Sequence, residues 1–269
     1  MRNSTEVRIF KGNVSGQGDY RSGNVFGAGS GVGKYTDDEH SYCNNASGSV
    51  TCSTLVEVSG GTIANSVYGG GALASVGPPK IPPTRSDNEQ KAASEGHKSS
   101  SCNIVNIKGG NITGSVYGAS RGPGDAMFTD GSFSGIGTDN GEYNPTTFAT
   151  SIWTEVNITG GTIRNNVYGG GEMGQVKEST VVSLTGGTIA HDAYGGGKGT
   201  VGTNAIEANV GGNTTVELNK EVASTDKGCI VDKIFGCNDL NGTPKGHVLV
   251  HVYGTQNANV GSYPTMGSW

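Results

Sequence analysis

Apolar and polar residues alternate in short bursts along this chain, and the bursts are copies of one another. Val56-Glu57-Val58, Val105-Asn106-Ile107, Val156-Asn157-Ile158 and Val182-Ser183-Leu184 each read apolar, polar, apolar. A two-residue period marks a half-buried strand, so the outer pair of each burst should face a core and Glu57, Asn106, Asn157 and Ser183 should face outward. One residue later comes Gly-Gly, which supplies positive φ without steric cost and turns the chain. An isoleucine then recurs at Ile63, Ile112, Ile163 and Ile189, predicting a second short inward-facing strand. The next three residues often include asparagine (Asn65, Asn165, Asn166) and suit a bend. A third strand follows at Val67-Tyr68, Val116-Tyr117, Val167-Tyr168 and Ala193-Tyr194, and glycine or small residues end it.

The full units are Val56–Gly71, Val105–Ser120, Val156–Gly171 and Val182–Gly197. Weaker copies extend the array. Val7-Arg8-Ile9 with Val25-Phe26-Gly27 matches the two ends of the unit near the N-terminus. Val216-Glu217-Leu218 with Ile234-Phe235-Gly236 does so near the C-terminus, and Val250-His251-Val252 starts a last fragment. Repetition of this kind means one supersecondary unit stacked on copies of itself. Three short strands joined by tight turns form one coil of a parallel β-helix. The predicted fold is therefore all-β, a parallel β-helix (β-solenoid) of about six coils, with residues 1–269 as a single domain. At ~4.8 Å per coil, the rod would be on the order of 30 Å long.

The shortest interval, Gly160 to Gly186, is 186 − 160 = 26 residues, well below the ~40–45 of a four-stranded propeller blade. Gly60 to Gly109 is 49 residues and Gly109 to Gly160 is 51, so these coils carry insertions. One is residues 77–101, with Pro78, Pro79, Pro82 and Pro83; the other is residues 121–150. Both follow the Tyr-Gly corner and are expected to leave from one edge of the rod. Phe26, Tyr68, Tyr117, Tyr168, Tyr194 and Phe235 hold equivalent positions and should stack as a ladder. Packing at a corner is the expected role, and a strip for sugars is the functional alternative.

Composition agrees with a thin-cored repeat. Glycine is 48 of 269 residues, about 18%, against an ordinary ~7%, and apolar content is only 33%. There is no three-residue glycine period, which excludes collagen. Net charge is −5 with pI near 5.5 and no Lys/Arg run, so no nucleic-acid partner is expected. No run of ~18 apolar residues exists, so no membrane span is expected. Residues 1–10 lack the apolar region of a signal peptide and the first repeat begins at Val7. The chain is read as a fragment of a longer protein, or as one whose signal has been removed.

Candidate chemistry is sparse. Cys43 with Cys52, and Cys229 with Cys237, are spaced to close small loops as disulfides in an oxidising compartment, leaving Cys102; the alternative is that all five are reduced. No CxxC pair or zinc spacing occurs. Asp125, Asp130, Asp139 and Glu142 fall in one insertion and offer oxygen ligands, but without the spacing of a calcium loop. Asp37-Asp38-Glu39-His40 reads as a polar loop. His247 and His251 lie four apart, ~13 Å along a strand, too far for one ion. Gly27 to Lys34 has Tyr35 where a phosphate loop needs Ser or Thr. No G-x-S-x-G elbow occurs. Sequons such as those at Asn111 and Asn157 lie inside the repeat and follow from its composition. No catalytic, cofactor or metal residues are therefore assigned.

The GGTI, GGNI, GGTI and GGTI cores, each followed by VYG or AYG, resemble the glycine-rich β-helix repeats of large bacterial surface proteins. They are similar to autotransporter passengers and polymorphic outer-membrane proteins, and the resemblance covers roughly residues 7–260. It implies a secreted, surface-displayed, structural or adhesive protein. The expected function is such a scaffold without catalytic activity, binding a host surface, glycan or protein through loops 77–101 and 121–150, with end-to-end self-association. The alternative is a carbohydrate-active β-helix enzyme or a glycan-binding module.

Overall fold

The computed structural model describes residues 4–18, 22–37, 40–44, 47–77, 101–123, 148–203, 205–222 and 227–255; for 32–44 only the backbone is described. The described regular structure is entirely strand. Alternating bursts open the coils as β1 (Thr5–Ile9), β6 (Thr54–Val58), β9 (Cys102–Ile112), β11 (Trp153–Ile163), β13 (Thr180–Ile189), β15 (Thr214–Leu218) and β17 (Val248–Val252). They pair in that order, all parallel, and β2 (Asn13–Val14) and β7 (Thr62–Ile63) widen the same sheet. A second parallel sheet stacks the two-residue strands β3 (Val25–Phe26), β8 (Val67–Tyr68), β10 (Val116–Tyr117), β12 (Val167–Tyr168), β14 (Ala193–Tyr194) and β16 (Ile234–Phe235). The chain is a parallel β-solenoid of six coils and the start of a seventh.

A third row closes the coil. Val50 bridges Val76, and Ser151, Val176, Val210 and Pro244 bridge in succession. Val76 N–H reaches Thr150 O at 2.7 Å, which joins the two runs. Only one residue per coil is in ladder geometry here, so the row leaves no strand-length apolar pattern in the sequence.

Repeated residues lie in register. Val58, Ile107, Ile158 and Leu184 form one inward row, and Ile63, Ile112, Ile163 and Ile189 another, all fully buried or nearly so. With Val67, Val116, Val167 and Ala193 they make one continuous core. The glycine pairs do not break the first sheet. β9, β11 and β13 run through them as single bulged strands, because only the second glycine of each pair turns left-handed (Gly61, Gly110, Gly161 and Gly187, φ 81–86°). Glu57 faces outward as expected but is buried. It lies between Arg8 and Lys108, with Nη1 of Arg8 at 3.3 Å and Nζ of Lys108 at 2.5 Å.

Two expectations about loops are corrected. The insertions leave from different corners. Residues after Gly77 depart beyond the third-row Val76, whereas those after Pro123 depart before the third-row Ser151. Both follow the Tyr-Gly corner in sequence, but the third row separates their exits. Asp37 and His40 belong to an antiparallel hairpin rather than an irregular loop: β4 (Val32–Asp37) pairs β5 (His40–Asn44), with Asp37 opposite His40. The hairpin includes Lys34 and Tyr35, so that stretch is strand and not a phosphate cradle.

Candidate functional site

The densest cluster of chemically capable side chains lies on the outer face of the second sheet. In each Val-Tyr strand the valine enters the core and the tyrosine points away from it. Phe26, Tyr68, Tyr117, Tyr168, Tyr194 and Phe235 stack ring on ring at 4.8–5.0 Å, within 3–14° of parallel. The spacing is that of adjacent strands, so register alone imposes the stack. All four tyrosines are buried and stacked face to face, so they offer no open strip to a sugar; only the terminal ring, Phe235, is exposed.

The hydroxyls are engaged by residues from the corners. Tyr68 donates to Glu172 Oε2 at 2.6 Å and Tyr168 to Asp239 Oδ2 at 2.8 Å. Each bond passes over one coil, from the second to the fourth and from the fourth to the sixth. Lys198 Nζ holds the other Glu172 oxygen at 2.9 Å. Asn166 Nδ2 donates to the Tyr168 oxygen, Tyr194 donates to Asp192, and Arg121 lies over the Phe26 ring at 5.4 Å. Burial, with the neighbouring carboxylates, raises the pKa of all four tyrosines above that of an ordinary phenol. All four are neutral at physiological pH, and Tyr68, Tyr168 and Tyr194 donate hydrogen bonds.

Sequence reasoning missed these partners, although a signal existed. The residue four places after each ladder aromatic runs Ser30, Ala72, Arg121, Glu172, Lys198, Asp239. From the third coil to the sixth its charge alternates in sign. Neighbouring coils thus present opposite charges beside the tyrosine edges, and Glu172 with Lys198 forms an ion pair.

Of the other candidates, Asp125, Asp130, Asp139 and Glu142 lie outside the described residues, as do Asp38 and Glu39 and most of both long insertions. His251 sits on β17 and meets Tyr253 edge-on at 5.7 Å, with Nδ1 3.2 Å from the Tyr253 hydroxyl. His247 precedes the strand, and its backbone N–H binds Asn213 Oδ1 at 2.8 Å. Cys229 and Cys237 are free thiols, so the disulfide considered for that pair is not formed; the Cys43 side chain, and with it the Cys43–Cys52 pairing, lies outside the described residues. Burial pushes the Cys229 thiol up to about 12, leaving it unreactive. Among the described residues no three His, Cys, Asp or Glu side chains are placed to hold a metal, and no helix is long and apolar enough to cross a membrane.

No family model, curated protein or solved structure matches this chain.

Proposed function

We propose that this protein is a secreted or surface-displayed β-solenoid with a structural or adhesive role and no catalytic activity. The observation that carries the reading is how the polar groups of the rod are used. The hydroxyls of Tyr68 and Tyr168 and the side chains of Glu172, Lys198 and Asp239 bind one another from coil to coil. They hold the stack in register, whereas an active site needs acids and bases aimed at a shared open volume. The resemblance to glycine-rich β-helix repeats of bacterial surface proteins points to the same role. On this reading recognition resides in the insertions 77–101 and 121–150, because loops on a rigid scaffold carry specificity.

The test is deletion of residues 80–98. Loop length alters folding free energy by only fractions of a kcal/mol. The shortened protein should therefore melt like the parent, while the binding of labelled protein to intact host-cell monolayers falls. Unchanged binding by deletions in both insertions would remove the adhesive part of the reading. Turnover of an acidic polysaccharide such as polygalacturonate, abolished by one substitution among Asp125, Asp130, Asp139 and Glu142, would replace it with the enzyme alternative.

A further inference from the structure

The apolar surface of this rod is concentrated at one end. Ten large hydrophobic side chains are exposed among the described residues, and eight of them lie between Ile230 and Tyr253. At their centre is β17. Val248, Val250 and Val252 continue the inward rows of Thr214, Val216 and Leu218 one layer further, yet they are 44%, 40% and 54% exposed. On β15, Val216 in the same row is fully buried, because β17 and β13 cover it from both sides. Among the described residues β17 pairs only with β15, so its outer edge also presents unpaired backbone N–H and C=O groups.

What fits this surface is a strand lying parallel to β17 with apolar side chains on alternate inward positions. The opposite end of the same molecule presents one. Among the described residues β1 pairs only with β6, and its other edge carries Thr5, Val7 and Ile9 in the rows that end in Val248, Val250 and Val252. Within the rod, six successive parallel steps join these rows residue to residue, from β1 to β17. We infer that the molecule stacks end to end: β17 of one copy pairs in parallel with β1 of the next, setting Val7 on Val250 and Ile9 on Val252. The junction repeats the step already made six times inside the chain. The first sheet is one strand longer than the second at this end, so β17 projects and makes the contact. A translation keeps the inward rows of the first sheet's long strands continuous, whereas a two-fold pairing of β17 with β17 would leave the β1 edge unused. A head-to-tail contact of this kind does not close on itself and extends into filaments.

Sedimentation of the full chain at rising concentration tests this. The mass should climb from 27.3 kDa through successive multiples without halting at a dimer. Val250→Lys and Val7→Lys each spoil one end and should each reduce association to the monomer. Both sites are on the outermost strands, so circular dichroism and the melting transition should stay near those of the parent. An equimolar mixture of the two variants should regain dimers, because each supplies the end that the other lacks. If V7K associates as the parent does while V250K does not, the contact is β17 on β17 and the head-to-tail arrangement is wrong. A parent chain that is monomeric at every concentration overturns self-stacking altogether, with the β17 surface then covered by something other than a second copy.

Discussion

Thr154 and Gly169 are tied across the interior of one coil: the threonine hydroxyl donates to the glycine carbonyl at 2.6 Å. Thr54 with Gly69 and Thr180 with Gly195 repeat the bond at 2.5 and 2.6 Å, and Thr5 makes it to Gly27. The two partners stand at the start of the first sheet and just past the second, so the bond sets how far apart the sheets sit. Thr154→Val keeps the shape but leaves a buried carbonyl without its donor. We expect a loss of about 1–3 kcal/mol, read as a lower denaturation midpoint at unchanged slope. A loss no larger than that of an exposed substitution would mean that the bond contributes nothing.

Ile163 lies fully buried between Ile112 and Ile189 in its row. Truncation to alanine removes apolar contact and leaves a cavity that neighbouring coils cannot fill without losing register. Ile163→Ala should cost roughly 2–5 kcal/mol. Chemical denaturation checks it, and a cost under half of the lower figure would indicate that the coils can collapse around the gap.

Gly118 follows the third-coil tyrosine, and a Cβ added there would lie 2.2 Å from the carbonyl oxygen of Gly169 in the next coil. Both atoms belong to backbone held at strand spacing, so neither can yield cheaply. Gly118→Ala should prevent normal stacking of these coils and markedly lower the melting temperature. Gly254→Ala, where a Cβ meets nothing within 4 Å, should leave the melt unchanged. Equal behaviour of the two variants would contradict the close approach of coils.

Tyr68 gives the clearest pH dependence. Its pKa in the folded protein is raised well above the ordinary 10.0, first by burial and then by Glu172, and the other three ladder tyrosines shift the same way. The unfolded chain therefore loses phenolic protons at lower pH than the folded one. By linkage, stability is fully present below pH about 10 and falls as pH rises above it towards the folded values. Unfolding midpoints measured across this range, with phenolate absorbance followed in parallel, should show ionisation arriving together with unfolding. Tyr68→Phe removes a bond to a carboxylate, costing about 1.5–3 kcal/mol near neutral pH, and should soften the alkaline fall. Six of the ten tyrosines lie outside the ladder, so the reading is differential: a phenolate signal near pH 10 in the intact fold that Tyr68→Phe diminishes would show that the ladder rings are reached by water.

Much of this architecture is written in single residues. Val56-Glu57-Val58 and its copies have the period of a strand, and the recurrence of Ile63 and Val67 at constant offset forces the copies into register. Local sterics and side-chain periodicity decide these features, so four aligned segments suffice to place the core rows and the aromatic ladder. The third row was not legible, because Val76, Val176 and Val210 are isolated single-residue bridges with no alternation around them. For the same reason the exits of the two insertions could not be told apart. The hairpin at Val32–Asn44 lies outside the repeat and lacks its pattern. The bonds from Tyr68 to Glu172 and from Tyr168 to Asp239 join residues 104 and 71 positions apart. Only the pitch of the stack decides which coil a corner side chain reaches. That similar coils stack, and which side chains face inward, follows from a repeated local pattern and needs nothing beyond the order of residues. Which polar groups meet between coils and which edges stay open depends on distances set by the whole stack, and so arises only once the chain is folded.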